Sequence, residues 1–225
     1  MTFLLTNDDG IDAPGIAALS QALEGQGVWV APALQHSGCG HRVTTHVPIT
    51  VEPCEENRYA VQGTPADCTR LGLTCLYSEA EWVIAGVNAG GNLGIDSYMS
   101  GTVAAAREAV ILGKKAIAIS HWINHPHVID WDWTVVWTKK VLETLLAKPL
   151  AAGQFWNVNL PHLQPGDSDP ELIFCQPSCD SLPVGFTQSG NTYTYQGEYS
   201  QRLREPGTDV AVCFSGNIAI TQLQL

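Results

Sequence analysis

The sequence predicts an α/β fold built on a mostly parallel sheet, with a β-rich region at its C-terminal end. Three observations lead there. Up to about residue 160, short apolar runs of strand character alternate with helical patterns, the order that gives strand–helix–strand units and parallel pairs. The runs ending at Leu5, Ala31 and Ala85 lead directly into polar, proline-marked or glycine-rich segments, as strands do at the carboxyl edge of an open sheet. Further on, prolines, glycines and short alternating stretches replace the helical patterns, which suggests hairpins. Residues 1–165 are therefore the core, and 166–225 a β-rich region that completes the same domain.

Phe3-Leu4-Leu5 is the first strand. Pro14 lies in the first turn of the following helix, which runs through Leu19 and Leu23 to a stop near Gly25-Gln26-Gly27. Val28 to Ala31 is the second strand, ended by Pro32. Val43 to Val51 and Tyr59 to Val61 alternate as strands around a polar turn at Glu55-Glu56-Asn57. Gly63-Thr64-Pro65-Ala66-Asp67 resets the chain before a helix over Cys68 to Leu76, with Leu71 and Cys75 on one face. Trp82 to Ala85 is a strand leading into the glycine-rich loop Gly86 to Gly94. Ser100-Gly101-Thr102 opens an alanine-rich helix, Val103 to Leu112, closed by Gly113. A buried strand over Ala116 to Ser120 precedes a helix that begins at Asp130-Trp131-Asp132-Trp133. There Trp133, Val136, Trp137, Val141, Leu142 and Leu145 recur at helical spacing and read as core. Phe155 to Leu160 is a further strand, ended by Pro161. Tyr193 to Tyr195 and Val210 to Phe214 read as hairpin strands, and Asn217 to Leu223 as the last strand. Residues from about Pro183 to Phe214 form a protruding arm.

Composition narrows the function. Lys plus Arg total 11 against 22 for Asp plus Glu, a net charge of −11 with no basic run, which argues against polymeric nucleic acid. Seven cysteines are scattered without paired metal spacing and read as cytoplasmic thiols. Cys175 and Cys179 are the closest pair. No charged leader precedes the first apolar run, Asp8-Asp9 interrupts it, and no stretch reaches the ~20 apolar residues of a membrane span. A cytoplasmic protein without a membrane partner is expected.

Thr6-Asn7-Asp8-Asp9-Gly10 places two carboxylates between a strand and a helix. Either this is an Asx turn with a helix cap, or the paired charges are kept ionised by a hard divalent cation. The loops after neighbouring strands add Ser37, Asn88 and Asn92. Carboxylate, hydroxyl and amide oxygens suit Mg²⁺ or Mn²⁺, whereas cysteine or imidazole would have argued for zinc. The helix start at Ser100-Gly101-Thr102 is a ready anion site. Metal and anion together point to phosphoryl chemistry. Ser37 lies outside any Gly-x-Ser-x-Gly elbow, no Gly-x-x-x-x-Gly-Lys occurs, and the Gly86 to Gly94 loop lacks dinucleotide spacing. His121, His125 and His127 are interrupted by Pro126 and read as an exposed loop, and His36 and His41 as polar surface residues.

The ordered set of Leu5-Thr6-Asn7-Asp8-Asp9-Gly10, Ala13-Pro14-Gly15, Ala31-Pro32, Ser37-Gly38, Gly63-Thr64-Pro65-Ala66-Asp67-Cys68, Gly86-Val87-Asn88-Ala89-Gly90-Gly91-Asn92-Leu93-Gly94, Ser100-Gly101-Thr102-Val103-Ala104-Ala105-Ala106, Asn157-Val158-Asn159-Leu160-Pro161 and Pro206-Gly207-Thr208-Asp209 resembles the SurE survival-protein nucleotidases. The resemblance implies a Rossmann-like three-layer sandwich whose β-rich arm serves oligomer exchange, as a homodimer or homotetramer. It implies a metal-dependent phosphatase that hydrolyses nucleoside 5′- and 3′-monophosphates, a phosphoric monoester hydrolase with one divalent cation, Mg²⁺ or Mn²⁺, per subunit. The family's metal ligands fall on Asp8, Asp9, Ser37 and Asn88. Its phosphate contacts fall on Asn92, Ser100, Gly101 and Thr102, with Asp8, Asp9 and Asn92 catalytic. Where the family usually has Asp-Arg-Asn-Arg before the site serine, this chain has Ala33-Leu34-Gln35-His36, and it has Ile95 for a common acidic residue and Met99 for a common tyrosine. These departures bear on substrate preference more than on the reaction. The alternative from another class is a non-catalytic nucleotide or anion sensor using the same pocket.

Overall fold

A computed structural model describes residues 1–124 and 127–225. The first strand β1 (Phe3–Thr6), the helix α1 (Pro14–Ala22) and β2 (Val28–Pro32) make a parallel unit, with Leu4 opposite Val28. On the other side of β1 lies β5 (Trp82–Ala89), also parallel, followed outward by β6 (Lys115–His121) and β7 (Gln154–Leu160). The strands β3 (Val51–Glu55) and β4 (Arg58–Val61) extend the β2 edge. At the opposite edge are β8 (Leu172–Phe174) and β11 (Ile218–Gln224), and β11 runs antiparallel to β7. The nine-stranded order is β3-β4-β2-β1-β5-β6-β7-β11-β8.

Side chains that alternate along the strands build a core on each face. Phe3, Leu5, Ile84, Ile117 and Val158 pack with Ile16 and Leu19 of α1 and with Trp137, Val141 and Leu145 of α4 (Trp131–Leu145). Leu4, Val83, Ala85 and Ala118 pack with Cys68 of α2 (Pro65–Leu71) and with Val103, Ala106 and Ala109 of α3 (Gly101–Ile111). Three layers result. Among the described residues no helix is long and apolar enough to cross a membrane.

Several expected boundaries move, each for a local reason. The stretch expected as a strand from Val43 enters the sheet only at Val51, because Thr44 is pinned through its amide and hydroxyl to Asp67. The second helix begins at Pro65, where Thr64 and Asp67 form a capping box, and Gly72–Leu76 continues it as a wider turn. The glycine-rich loop starts later than Gly86, since β5 continues to Ala89 across a register shift between Ala85 and Asn88. Val210 to Phe214 is helical, not a strand: it lies in α5 (Asp209–Phe214), with Thr208 as the N-cap whose side chain accepts from the Ala211 amide. Trp133 is 48% exposed and stacks on Trp137, so only Trp137 of that pair is core. His121 is buried at the end of β6 and bonds Thr134, not an exposed loop residue; His127 is exposed, and His125 lies outside the described residues. All seven cysteines are free thiols.

The expected hairpin over Tyr193 to Tyr195 is present as β9 (Phe186–Ser189) and β10 (Thr192–Tyr195), exposed throughout and separate from the main sheet. The segment that carries it is fastened to the loop between Asn92 and Ser100 at two points. The Arg202 guanidinium and the Tyr199 hydroxyl both donate to Asp96 Oδ2, and a second Arg202 nitrogen donates to the Leu93 carbonyl. Asp209 accepts from the amides of Gly94 at 2.6 Å and Ser178 at 2.9 Å. Gly94 has to be glycine there, because an added Cβ would lie 2.3 Å from the Ser178 carbonyl oxygen. Arg202 is only 2% exposed at its side chain. Removing one partner from such a buried pair leaves a charge that neither water nor a counter-ion stabilises. Arg202→Met should therefore cost on the order of 3 kcal/mol in urea unfolding, while an exposed-arginine control, Arg204→Met, should cost under about 0.5 kcal/mol. Equal losses for the two would contradict the clamp.

Candidate active site

The Asn7 side chain closes a turn on Gly10, accepting from its amide at 3.2 Å and donating to its carbonyl at 2.8 Å. The expected Asx turn with a helix cap is thus replaced by a wider turn, since Asn7 bonds three residues on and α1 is capped at Ala13 without a side-chain bond; this wider turn is what takes Asp8 and Asp9 off the end of β1. The loop after β2 is tied to the same place, since the His36 amide donates to the Asp8 carbonyl at 2.7 Å.

Asp8 is buried, 4% exposed, against the start of α3. Its Oδ1 accepts from the Thr102 hydroxyl. The approach depends on Gly101, where an added Cβ would stand 2.9 Å from Asp8 Cβ and 3.0 Å from Cys39 Sγ. Asp9 is half-buried; its Oδ2 accepts from the Ala89 amide at 3.0 Å and its Oδ1 from Gln35 Nε2 at 3.3 Å. The same Gln35 nitrogen reaches Ser37 Oγ at 2.9 Å. Asn88 spends its side-chain nitrogen on the Gly90 carbonyl at 2.7 Å, which leaves the amide oxygen as the available donor atom.

Asn92 is fixed from three sides. Its amide donates to Asn159 Oδ1 at 2.7 Å, its Nδ2 to Ser120 Oγ at 2.7 Å, and its carbonyl accepts from Asn157 and Asn159. Ser100 is the N-cap of α3 and its hydroxyl accepts from the Val103 amide. An open cleft of about 310 Å³ is lined by Asp8, Ser37, Asn88, Asn92, Asp96 and Ser100 among others, with no Lys or Arg. Asp9 borders the neighbouring cavity. Thr102, expected as a phosphate contact, is fully buried with its hydroxyl on Asp8, so its side chain serves the carboxylate pair.

Burial is the main cause that pushes Asp8 up to about 6, with the neighbouring charge of Asp9 acting the same way and the Thr102 hydroxyl opposing both. Among the described residues neither Asp8 nor Asp9 is ion-paired to a Lys, Arg or His. Among the described residues no group of three or more His, Cys, Asp or Glu could hold a metal. What the site offers is two carboxylates with neutral oxygens, the donor chemistry of a hard cation. Burial and Asp8 also raise the Cys39 thiol, against a nucleophilic thiolate. His41, expected as a surface residue, is partly buried, with its Nε2 hydrogen-bonded to the buried Glu108 at 2.6 Å. Sequence reasoning missed Gln35, which bonds Asp9, and Trp131, which lines the same cavity as Asp9; Gln35 stood in a segment noted only for its departure from the family, and Trp131 was noted only as part of a helix start.

An open, three-layer α/β sheet that gathers acidic and oxygen-bearing loops at its carboxyl edge defines a Rossmann-like α/β protein. The family model for the survival protein SurE matches residues 3–177, and the chain belongs to the SurE family. It is 66% identical over 225 residues to a protein of Synechocystis sp. described as a candidate 5′-nucleotidase, covering 100% of both chains. It is 36% identical over 232 residues to the protein of Paramagnetospirillum magneticum named 5′-nucleotidase SurE, covering 99% of this chain and 89% of that one. The crystal structure of the SurE protein from Aquifex aeolicus superposes with a TM-score of 0.88 at 32% identity, over 100% of this chain and 93% of that one.

The raised Asp8 pKa fixes the sign of a stability effect. Its folded value of about 6 lies above the ordinary 3.8, so ionising Asp8 lowers stability progressively as pH rises between those values, and the deficit is complete above about 6. In chelator, Asp8→Asn should therefore be more stable than the parent at pH 8, by on the order of 2–3 kcal/mol for a shift of about two units. The advantage should shrink toward pH 4. Denaturant melts at both pH values check it, and a destabilised Asp8→Asn at pH 8 would show that the carboxylate is not under strain.

Proposed function

We propose that this protein is a metal-dependent phosphatase that hydrolyses nucleoside 5′- and 3′-monophosphates to nucleoside and phosphate. The observation that carries the reading is that the buried Asp8 carboxylate, the oxygens of Ser37, Asn88 and Asn92 and the Ser100 start of α3 share one cleft that no Lys or Arg lines, with Asp9 beside it on the border of the next cavity. An anionic substrate there needs a cation other than a side chain. Asp8, Asp9, Ser37 and Asn88 are the residues that would hold one Mg²⁺ or Mn²⁺. When bound, it supplies positive charge for the phosphoryl oxygens and acidity for an attacking water.

The chain's own groups then position the ester. Val103 N–H is capped by Ser100 Oγ and Ala104 N–H bonds the Ser100 carbonyl. The amides of Gly101 and Thr102 are the ones that helix geometry leaves for an anion. Asn92, oriented by Ser120 and Asn159, is placed to hold a phosphoryl oxygen as charge develops in transfer. Gln35 links Asp9 to Ser37 and so keeps the two loops in one arrangement. The relatives' names supply the nucleotide class. The seven free thiols support a cytoplasmic location as part of this reading. Phe186, Tyr193 and Tyr195 of the β9–β10 hairpin are each half or more exposed and fit pairing with a second copy, as a homodimer or homotetramer.

Phosphate release from a panel of nucleoside 5′- and 3′-monophosphates, with Mg²⁺ or Mn²⁺ and then with chelator, tests the activity. Turnover that chelator abolishes is expected. Tight nucleotide binding without turnover under any metal would identify a sensor instead. Asp9→Asn and Thr102→Val should raise the metal concentration for half-maximal activity by roughly tenfold or more, through lost Coulomb attraction and a freed Asp8. Excess metal should rescue them in part. Ser100→Ala, which removes the cap of an anion-binding helix start, should raise KM for the substrate without metal rescue. A Thr102→Val variant with the metal titration of the parent would remove that residue from the carboxylate pair. For assembly, light scattering should give at least twice the monomer mass of 24.2 kDa, and a monomer at working concentrations would refute the paired hairpin.

A further inference from the structure

The cleft that gathers Asp8, Ser37, Asn92 and Ser100 ends at Ala89, and a second cavity begins there. It has about 450 Å³ and is lined by Asp9, the Asp12–Gly15 turn, Leu34, Gln35, Ala89 and Trp131. We propose that this second cavity holds the nucleoside of the substrate, with the base against the apolar wall made by Trp131 and Leu34. The proposal rests on the phosphatase reading and adds where the leaving group lies.

Continuity is the first support. Ala89 lines both cavities, Asp8 lines one and its neighbour Asp9 the other. Gln35 stands at the junction, with one nitrogen shared between Asp9 and Ser37. A monoester whose phosphoryl group sits at the start of α3 can therefore reach the second cavity with its alcohol portion by passing Asp9. The volume lies within the roughly 300–1,000 Å³ typical of small-ligand sites.

The lining chemistry is the second support. Leu34 is 72% exposed and lines the cavity, so its aliphatic side chain is open to a ligand there. Trp131 is partly buried at the first position of α4, and its ring edge lies 3.4 Å from where a Cβ on Gly15 would be. A side chain there is excluded, because the same Cβ would stand 1.9 Å from the Val87 carbonyl oxygen. The indole is thus seated on the first turn of α1 and held as part of the wall. No Lys or Arg lines the cavity, while Asp9 and Asp12 do, so a second phosphate is disfavoured and a neutral, planar, hydrogen-bonding group is suited. Asp12 pairs with Arg58 at 3.3 Å, which leaves it acceptor capacity for a sugar hydroxyl. The small cavity beside His121 and Trp137, about 100 Å³, shares no residue with either cleft and supplies a control.

The experiment compares 5′-AMP with glycerol 2-phosphate, a monoester without a base, in the parent and in Trp131→Leu, Leu34→Asp and Trp133→Leu. Trp131→Leu and Leu34→Asp should raise KM for 5′-AMP by roughly tenfold, the scale of a lost base–aromatic contact, and leave glycerol 2-phosphate within about twofold. Trp133→Leu, which lines the other cavity, should change neither. Leu34 is exposed, so its variant keeps the test valid if Trp131→Leu fails to fold. Equal effects on both substrates, or no effect of Leu34→Asp on 5′-AMP, overturn the proposal. A separate arm needs no turnover: calorimetry with adenosine alone should show binding to the parent that Leu34→Asp loses. If no monoester is hydrolysed, the phosphatase reading falls and this arm alone decides the subsite; adenosine bound equally by parent and Leu34→Asp, or by neither, overturns it.

Discussion

The contact between Asp8 and the first turn of α3 is the constraint on which the rest of the site depends. Thr102 gives its hydroxyl to the carboxylate, and Gly101 gives up a side chain so that the two can meet. A carboxylate and a helix N-terminus attract each other, since the free amides and the helix dipole carry partial positive charge. That attraction is incomplete here, because burial still raises Asp8 well above the ordinary carboxylate range. The arrangement therefore keeps a site short of positive charge, placed next to amides able to receive an anion.

The sheet explains how residues so far apart in sequence come to that contact. Parallel β1, β2 and β5 deliver their loops to one edge, and each loop is then tied to another by a hydrogen bond from the backbone or a short side chain. His36 reaches the Asp8 carbonyl, Ala89 reaches Asp9, and Gln35 spans Asp9 and Ser37. The ties from His36 and Ala89 come from backbone amides and order no side chain, so only the Gln35 tie costs rotamer entropy.

The order of strands and helices was legible because local patterns carried it: apolar runs, a proline in the first turn of α1, and the serine and glycine that start α3. The oxygen-bearing loops were legible for the same reason, since a strand followed by Asp8-Asp9 or by Asn88 announces its own position at an edge. What the sequence hid was non-local. Thr102 reads as a helix-start hydroxyl, and only the fold turns it to a carboxylate 94 positions away. Trp131 stands at the first position of α4, outside the stripe that begins at Trp133, so no periodicity marked it, and only the fold brings it to the cavity beside Asp9. Val210 to Phe214 alternates too briefly to distinguish helix from strand by period, and the useful signal was Thr208-Asp209 ahead of it, an N-cap followed by an acidic first-turn residue. Val43 to Val51 carried strand-forming residues, but Pro48 and the Thr44–Asp67 bonds hold its first part off the ladder.

The clamp from Arg202 and Asp209 onto the loop after Asn92 sets an order of events during synthesis. Asp96 meets Arg202 across 106 positions, and Gly94 meets Asp209 across 115. A ribosome releases the chain from its N-terminus, so β1, β2 and β5 are available for pairing long before either partner has emerged. Until then Asp96 has neither its guanidinium nor its phenol, and the segment leading to Ser100 lacks its outer support. A nascent chain can therefore possess the carboxylates and the strands of the site without the fixed spacing between them. Contacts of such long range close late and slowly, so competence comes to this molecule as one of the last steps of its making.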